Sequence, residues 1–462
     1  MKKIVLYILL IVAVTYLTSC KKFLDKKSDI TLNVPTSLDD FQRLLDNDNM
    51  TDNSTPGIND QGADNFILPY SVYLTLNIRV RNAYTWQSDI WAGISANDWS
   101  TPYLIIYNSN VVLEGIKNIQ VSTSGDVDKL NSVYSKALFL RGAMHYYLEE
   151  TFGQPYKPNS ANTDLGIPLK LTSNLADIAQ RSTVQSTYEQ IIDDLNKAAK
   201  VAPVATATRN RPSKAAVFGM LARVYLTMQN YTKAKEFSDS SLSYNSTIYD
   251  YNNLGSAINT TSPFSAFSAP NDMPEILFPF TQLFYSLTAT TFIVDSSLLN
   301  SYDINDLRKT AFFRFNASTN SYSFKSSYAA TSVRFLSGPA VDEIYLTRAE
   351  CNARLGNKDA AMTDLNALLI KRWKNTVPYT PMQATDPDDA LRKVLNERRK
   401  ELVLRGIRWI DLRRLNQDSR FAITLSRNLN GQVYTLPPND KKYTYPIPDN
   451  EIRLSGITQN PR

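Results

Sequence analysis

Three of the five tryptophans, Trp86, Trp91 and Trp99, stand close together beside Tyr84 and a run of polar side chains: Arg81, Asn82, Asp89, Asn97 and Asp98. Flat apolar rings next to a guanidinium, amides and carboxylates suit one chemistry well. The C–H face of a pyranose stacks on a ring while polar neighbours take its hydroxyls. The residues expected to bind a ligand are therefore Arg81, Tyr84, Trp86, Asp89 and Trp91, with Trp99 packed on a helix. Against this stands the usual fate of large aromatics, which is burial in a core. A second aromatic set, Phe264, Phe267, Phe284, Tyr285 and Tyr302, lies in a turn-rich stretch. Such a segment makes either a binding rim or a small core of its own.

Other chemistries find few residues to work with. His145 is the single histidine, so a nucleophilic triad has one place to form, and no Gly-x-Ser-x-Gly elbow is present. Zinc sites built on several His or Cys cannot be assembled, and no Gly-rich phosphate loop occurs. The sequence assigns no catalytic residue, cofactor or metal ligand. Glycoside hydrolysis by a carboxylate pair needs only two Asp or Glu a few ångströms apart, and the sequence leaves that open. The net charge of +6 is spread along the chain, which speaks against nucleic acid as a partner. In the run 397–414, Glu397, Glu401 and Asp411 alternate with Arg398, Arg399, Arg405, Arg408, Arg413 and Arg414. Carboxylates at helical spacing give these arginines partners, and Trp409 and Ile410 are expected to face inward.

The elements that must position these residues follow from periodicity. Lys2 and Lys3 precede the uncharged run Ile4–Leu17, and Leu17-Thr18-Ser19-Cys20 closes it. That run is too short to span a bilayer as a helix; it reads as a signal peptide over 1–19 followed by a lipidated Cys20. Acylation there would tether the chain to a membrane without spanning it. It would also leave Cys351, in an apolar helical pattern, without a disulfide partner. A polar leader over 20–36 leads into a single domain over 37–462. Leu38, Phe41, Leu44 and Leu45 mark its first helix, 50–70 reads as loop, and further helices are expected near 101–120, 130–151 and 183–202. Ala222 with Ala234, and Ala349 with Ala361, repeat the same twelve-residue spacing. This is the pattern of tetratricopeptide helix pairs, expected at about 212–242 and 341–369, with 131–199 as a third pair interrupted by a Gly- and Pro-rich insertion. Residues 245–340 lose helical period and read as a large insertion with minor β content, strand-like over 322–336. One long charged helix is expected over 390–415, and an extended tail after Pro437.

Four stretches carry a resemblance. Cys20-Lys21-Lys22-Phe23-Leu24-Asp25 is similar to the leader of the SusD/RagB family of Bacteroidetes outer-membrane lipoproteins. Trp99…Tyr103…Tyr107-Asn108…Asn110-Val111-Val112-Leu113-Glu114-Gly115-Ile116 resembles that family's second helix. Glu397-Arg398-Arg399-Lys400-Glu401-Leu402…Gly406-Ile407-Arg408-Trp409-Ile410-Asp411-Leu412-Arg413-Arg414 resembles its signature, and Tyr445-Pro446-Ile447-Pro448…Glu451-Ile452…Gln459-Asn460-Pro461 resembles its ending. The resemblance implies a mostly α fold, with tetratricopeptide-like helix pairs on one side and large irregular insertions with minor β on the other. It implies a non-catalytic, surface-exposed nutrient-binding protein, usually for glycans, that caps a TonB-dependent transporter barrel of the SusC-like kind. The alternatives are a surface glycosidase, a binding protein for peptides, or a scaffold whose helix pairs hold protein only.

Overall fold

Small residues at twelve-residue spacing bring the helices together. Ala222, Ala234, Ala349 and Ala361 are all fully buried, at the contacts between Lys214–Thr227 and Tyr231–Tyr244 and between Val341–Arg354 and Lys358–Leu369. Side chains no larger than a methyl group let the antiparallel backbones close in. Left-handed residues turn each pair: Gln229 (φ 59°) in the first, with Asn230 capping the next helix through Lys233 N, and Gly356 (φ 85°) in the second. The computed structural model describes residues 35–267, 272–282, 292–325, 328–329 and 334–462. The signal peptide 1–19, Cys20 and nearly all of the leader, together with Phe284 and Tyr285, lie outside them.

The third pair joins Ser124–Phe152 to Val184–Val201 across the Gly- and Pro-rich segment. Thr123 caps the long helix by accepting from Asp126 N, and its end falls at Gly153, where a Cβ would overlap the Glu149 carboxylate. The helix Asn97–Gly115 packs along the same long helix and starts a few residues earlier than its apolar pattern suggests. These helices share one large apolar core. The insertion builds a second core on Tyr251, Phe264, Phe312 and Phe324, which it shares with Phe66, Val80 and Tyr84 and with Leu404 and Leu429. Among the described residues, strands occur only as five antiparallel two-stranded ladders. The strand-like stretch 322–336 contributes to two of them, Phe313–Asn316 with Ser321–Phe324 and Thr281–Gln282 with Phe335–Leu336.

Three expectations need correction. The long charged helix is two, Pro387–Glu401 and Arg408–Leu415, because Leu404 (φ 55°) and Gly406 (φ 69°) adopt left-handed backbone between them. The stretch 50–70 is not loop throughout, since Ile58–Gly62 is a buried helical turn. The tail is not wholly extended, since Asp449–Ser455 is helical and ends at a left-handed Gly456. A hairpin, Leu425–Leu429 with Gln432–Leu436, turns at Asn430-Gly431 (φ 52° and 87°), the pair of positive φ values that a tight two-residue turn requires.

The arginines of the run 397–414 do find carboxylates, but most reach across the fold rather than along a helix. Arg398 pairs with Asp411 and Arg414 with Glu350, all buried. Arg405 pairs with Asp342, and Glu401 accepts from both Arg308 and Arg372. Each buried arginine of the run therefore has a carboxylate within ion-pair range, which offsets the cost of desolvation.

Candidate functional site

Helix Ile78–Tyr84, capped by Asn77 through Val80 N, carries Arg81 and Tyr84, and the irregular segment after it carries Asp89 and the first two tryptophans. The structure takes Trp86 and Trp91 out of reach of a ligand. Both are 1% exposed, with Trp86 Nε1 donating to Gly62 O at 3.0 Å and Trp91 Nε1 to Pro446 O at 2.8 Å. An indole with both faces packed and its N–H satisfied by backbone offers no stacking surface, so the platform expected at these two rings is corrected to a core role. Tyr84 is also buried. Its hydroxyl accepts from Leu68 N at 2.9 Å, and the Arg427 guanidinium lies 3.9 Å from its ring centroid. Asp89 is exposed, but its carboxylate accepts from Ala92 N, while Asn82 donates to the Asp89 carbonyl; the two hold the turn 85–92 in shape. Asp98 is buried and accepts from the backbone N–H groups of Gly57 and Ile58. Of the second aromatic set, Phe264 and Tyr302 are core, and Phe267 is half-buried edge-on to Tyr249.

Arg81 alone of the expected residues reaches an open ring surface. Its guanidinium sits 6.0 Å from the Tyr73 ring, near the range for cation–π attraction, and Tyr73 stacks on Tyr70 at 6.3 Å with 17° between planes. Both tyrosines belong to the short helix Tyr70–Thr75, none of whose residues is buried. Tyr70 is 42% exposed, and Ile67, Leu74 and Ile78 are exposed beside it. Beneath this surface the hairpin residue Arg427 donates to the carbonyls of Phe66, Ala63 and Tyr84, so the helix rests on a braced floor. Sequence reasoning missed Tyr70 and Tyr73. The available signal was their three-residue spacing directly after Pro69 in a stretch with no buried face.

A cleft of about 570 Å³ opens elsewhere, between helix Asn97–Gly115, residues 168–179 and helix Asp449–Ser455. Trp99, Tyr103 and Tyr107 recur every four residues along its floor. Asn110, one turn further on, shapes its wall by donating to the carbonyls of Lys170 and Thr172 and accepting from Arg141, which in turn pairs with Asp194. Glu114 accepts from Ser173 N, and His145 Nε2 from Lys170 N. Burial pushes His145 down to about 3, so it holds this wall as a neutral imidazole. Trp99 is largely buried, Tyr103 spends its hydroxyl on Pro168 O, and exposed aliphatic side chains at Leu104, Leu175, Ile178 and Leu454 form the rim. Polar groups at Ser100, Asp177 and Glu451 line the same cleft.

Glu275, Asp342 and Glu401 place carboxylate oxygens within 4.8 Å of one another. Arg372 donates to Glu275 and Glu401, and Arg405 to Asp342, so guanidinium groups already occupy the positions a cation would take. Cys351 is buried, and desolvation pushes its thiol well up, which makes it a small core side chain. Among the described residues no helix is long and apolar enough to cross a membrane.

Residues 22–226 match the family model SusD-like_3, described as starch-binding associating with outer membrane, and residues 342–462 match the SusD_RagB model of the SusD family. SusD-like protein P2 of Formosa agariphila is 30% identical over 144 residues, which are 31% of this chain and 26% of that protein, so the match spans about a quarter of the relative. Among solved structures, a SusD superfamily protein from Bacteroides thetaiotaomicron VPI-5482 is 22% identical, with a TM-score of 0.70 over 92% of this chain and 100% of the other. A putative sugar binding protein from Bacteroides vulgatus ATCC 8482 is 21% identical, with a TM-score of 0.73 over 93% and 99% of the two chains. At that identity the likeness is one of fold: a mostly helical architecture with few short strands.

Proposed function

The chain belongs to the SusD family, and from that premise we propose that it is a lipid-anchored, outward-facing outer-membrane protein that binds an oligosaccharide and passes it to a TonB-dependent transporter. The observation that carries the reading is the Tyr70–Tyr73 ring pair with Arg81 beside it. Tyr70, exposed and stacked on the half-buried Tyr73, offers the flat apolar face that a pyranose needs. The guanidinium supplies donors for ring hydroxyls, and an open surface accepts a polymer that a closed cavity would exclude. The anchor rests on Leu17-Thr18-Ser19-Cys20, where acylation of the thiol would hold the protein at the membrane. The reading is of a binding protein rather than an enzyme, because the rings and the guanidinium provide recognition without a paired general acid and nucleophile.

The test is a glycan-array and peptide-pool screen on residues 21–462, followed by titration of any hit against Tyr70→Ala and Tyr73→Ala. A glycan hit whose affinity falls about tenfold or more in either variant, equivalent to ~1.4 kcal/mol, supports the reading. Capture of peptides alone, or a glycan hit indifferent to both substitutions, overturns it.

A further inference from the structure

A second cleft, of about 550 Å³, lies between residues 301–308, residues 369–382 and helix Pro387–Glu401. It shares no lining residue with the Tyr70–Tyr73 surface. Trp373 and Tyr379 line it as an angled pair, 5.9 Å apart with 63° between planes. Both rings are held from behind. The Trp373 backbone bridges to Asp306 and its carbonyl accepts from Asn252, while the Tyr379 hydroxyl donates to Asn366 at 2.6 Å. Trp373 Nε1 is buried and has no hydrogen-bond partner, which costs the free energy of desolvating that donor.

The floor is charged and already paired. Asp303, Asp306 and Glu397 line the cleft together with Arg308, Arg372 and Lys400, and behind them Glu401 accepts from Arg308 and Arg372. Arg308 donates to both Asp306 oxygens and to Glu397, and Lys400 donates to Glu397 at 2.8 Å. Each class of ligand meets this floor differently. An anion would face Asp306 and Glu397, and a cation would face Arg308 and Lys400. A lipid chain would leave every one of these groups desolvated without compensation. A neutral molecule rich in hydroxyls can donate to the spare carboxylate lone pairs and accept from Lys400, and its apolar face can lie on the rings.

We propose that this cleft is a separate binding site for a short, neutral oligosaccharide, with Trp373 and Tyr379 as its walls and the Asp306–Arg308–Glu397–Lys400 network as its hydrogen-bonding floor. A second site on the same chain would raise the retention of a polymer through effective concentration, without any change in the first.

The experiment isolates this cleft by using the double variant Tyr70→Ala/Tyr73→Ala of residues 21–462. Calorimetric titration with maltotetraose, cellotetraose, xylotetraose and mannotetraose reads binding in that background. At least one tetrasaccharide is expected to bind, and adding Trp373→Ala is expected to weaken it tenfold or more. Asn396 lines the cleft from an exposed helical position, so Asn396→Trp blocks the space without disturbing the core and should weaken binding equally at an unchanged melting temperature. If Trp373→Ala fails to fold, Asn396→Trp decides alone. Binding of none of the four sugars, or binding indifferent to Asn396→Trp, overturns the proposal. Neither outcome bears on Tyr70 and Tyr73, which are absent from the protein tested.

Discussion

Tyr70 and Tyr73 lie close in sequence to Trp86 and Trp91, and the two ring pairs meet opposite fates. The tryptophans are the larger and sit among more polar neighbours, which made them the more attractive binding residues on paper. Each has instead found a carbonyl for its N–H and a packed face on both sides: Trp86 at Gly62 with Arg427 5.0 Å away, Trp91 at Pro446 near Phe152. The tyrosines stand on a helix that buries none of its residues: Tyr70 is exposed, and Tyr73 is half-buried, with its ring 6.3 Å from that of Tyr84. Composition predicted that rings would matter in this stretch. Which rings remain available depends on the chain that returns to cover them, here the hairpin Leu425–Leu436 and the tail at Pro446.

The contrast is sharpest in stability. Trp91→Ala and Trp86→Ala should each lower the unfolding free energy by about 3–5 kcal/mol, read by chemical denaturation. A loss under about 1 kcal/mol would mean that the indoles are not core. A smaller effect comes from pH. Asp60, fully buried on the turn that ends at Gly62, accepts from Gln282 and Gly406 N, and desolvation pushes its carboxyl up to about 6. Between the ordinary 3.8 and about 6 the folded protein holds a proton that the unfolded chain has released, so this group makes stability fall as pH climbs through that window. Asp60→Asn should flatten that part of the profile by roughly 1–3 kcal/mol; an unchanged slope would place the titration elsewhere. The smallest effect belongs to the open pair. Tyr70→Ala should shift stability by no more than about 0.5 kcal/mol, so a marked drop in its melting temperature would erase the distinction between the two regions.

Legibility varied with how far each feature reaches along the chain. The helix pairs could be read because Ala222/Ala234 and Ala349/Ala361 act within a few turns of one another. The break at Leu404 to Gly406 could not, since Asp60, hundreds of positions away, accepts the Gly406 N–H there. The run 397–414 showed that its charges would be paired but not with whom. Asp342, Glu350, Arg308 and Arg372 all arrive from other elements. Of the expected ligand residues, only Arg81 reached an open ring surface, because ring type and neighbouring polar residues do not show which distant segment, the hairpin or the tail at Pro446, covers a ring.

The sequence by itself determined the helix pairs, the family signature and the aromatic character of the 70–100 region, because small-residue spacing, capping residues and turn glycines act over a few bonds. Tertiary structure alone decided which aromatics face solvent and how the buried arginines pair. It also brought Trp373, Tyr379 and Lys400 around one cleft. The physical reason is that burial and desolvation are properties of the neighbours a side chain acquires on folding, and those neighbours come from distant parts of the chain.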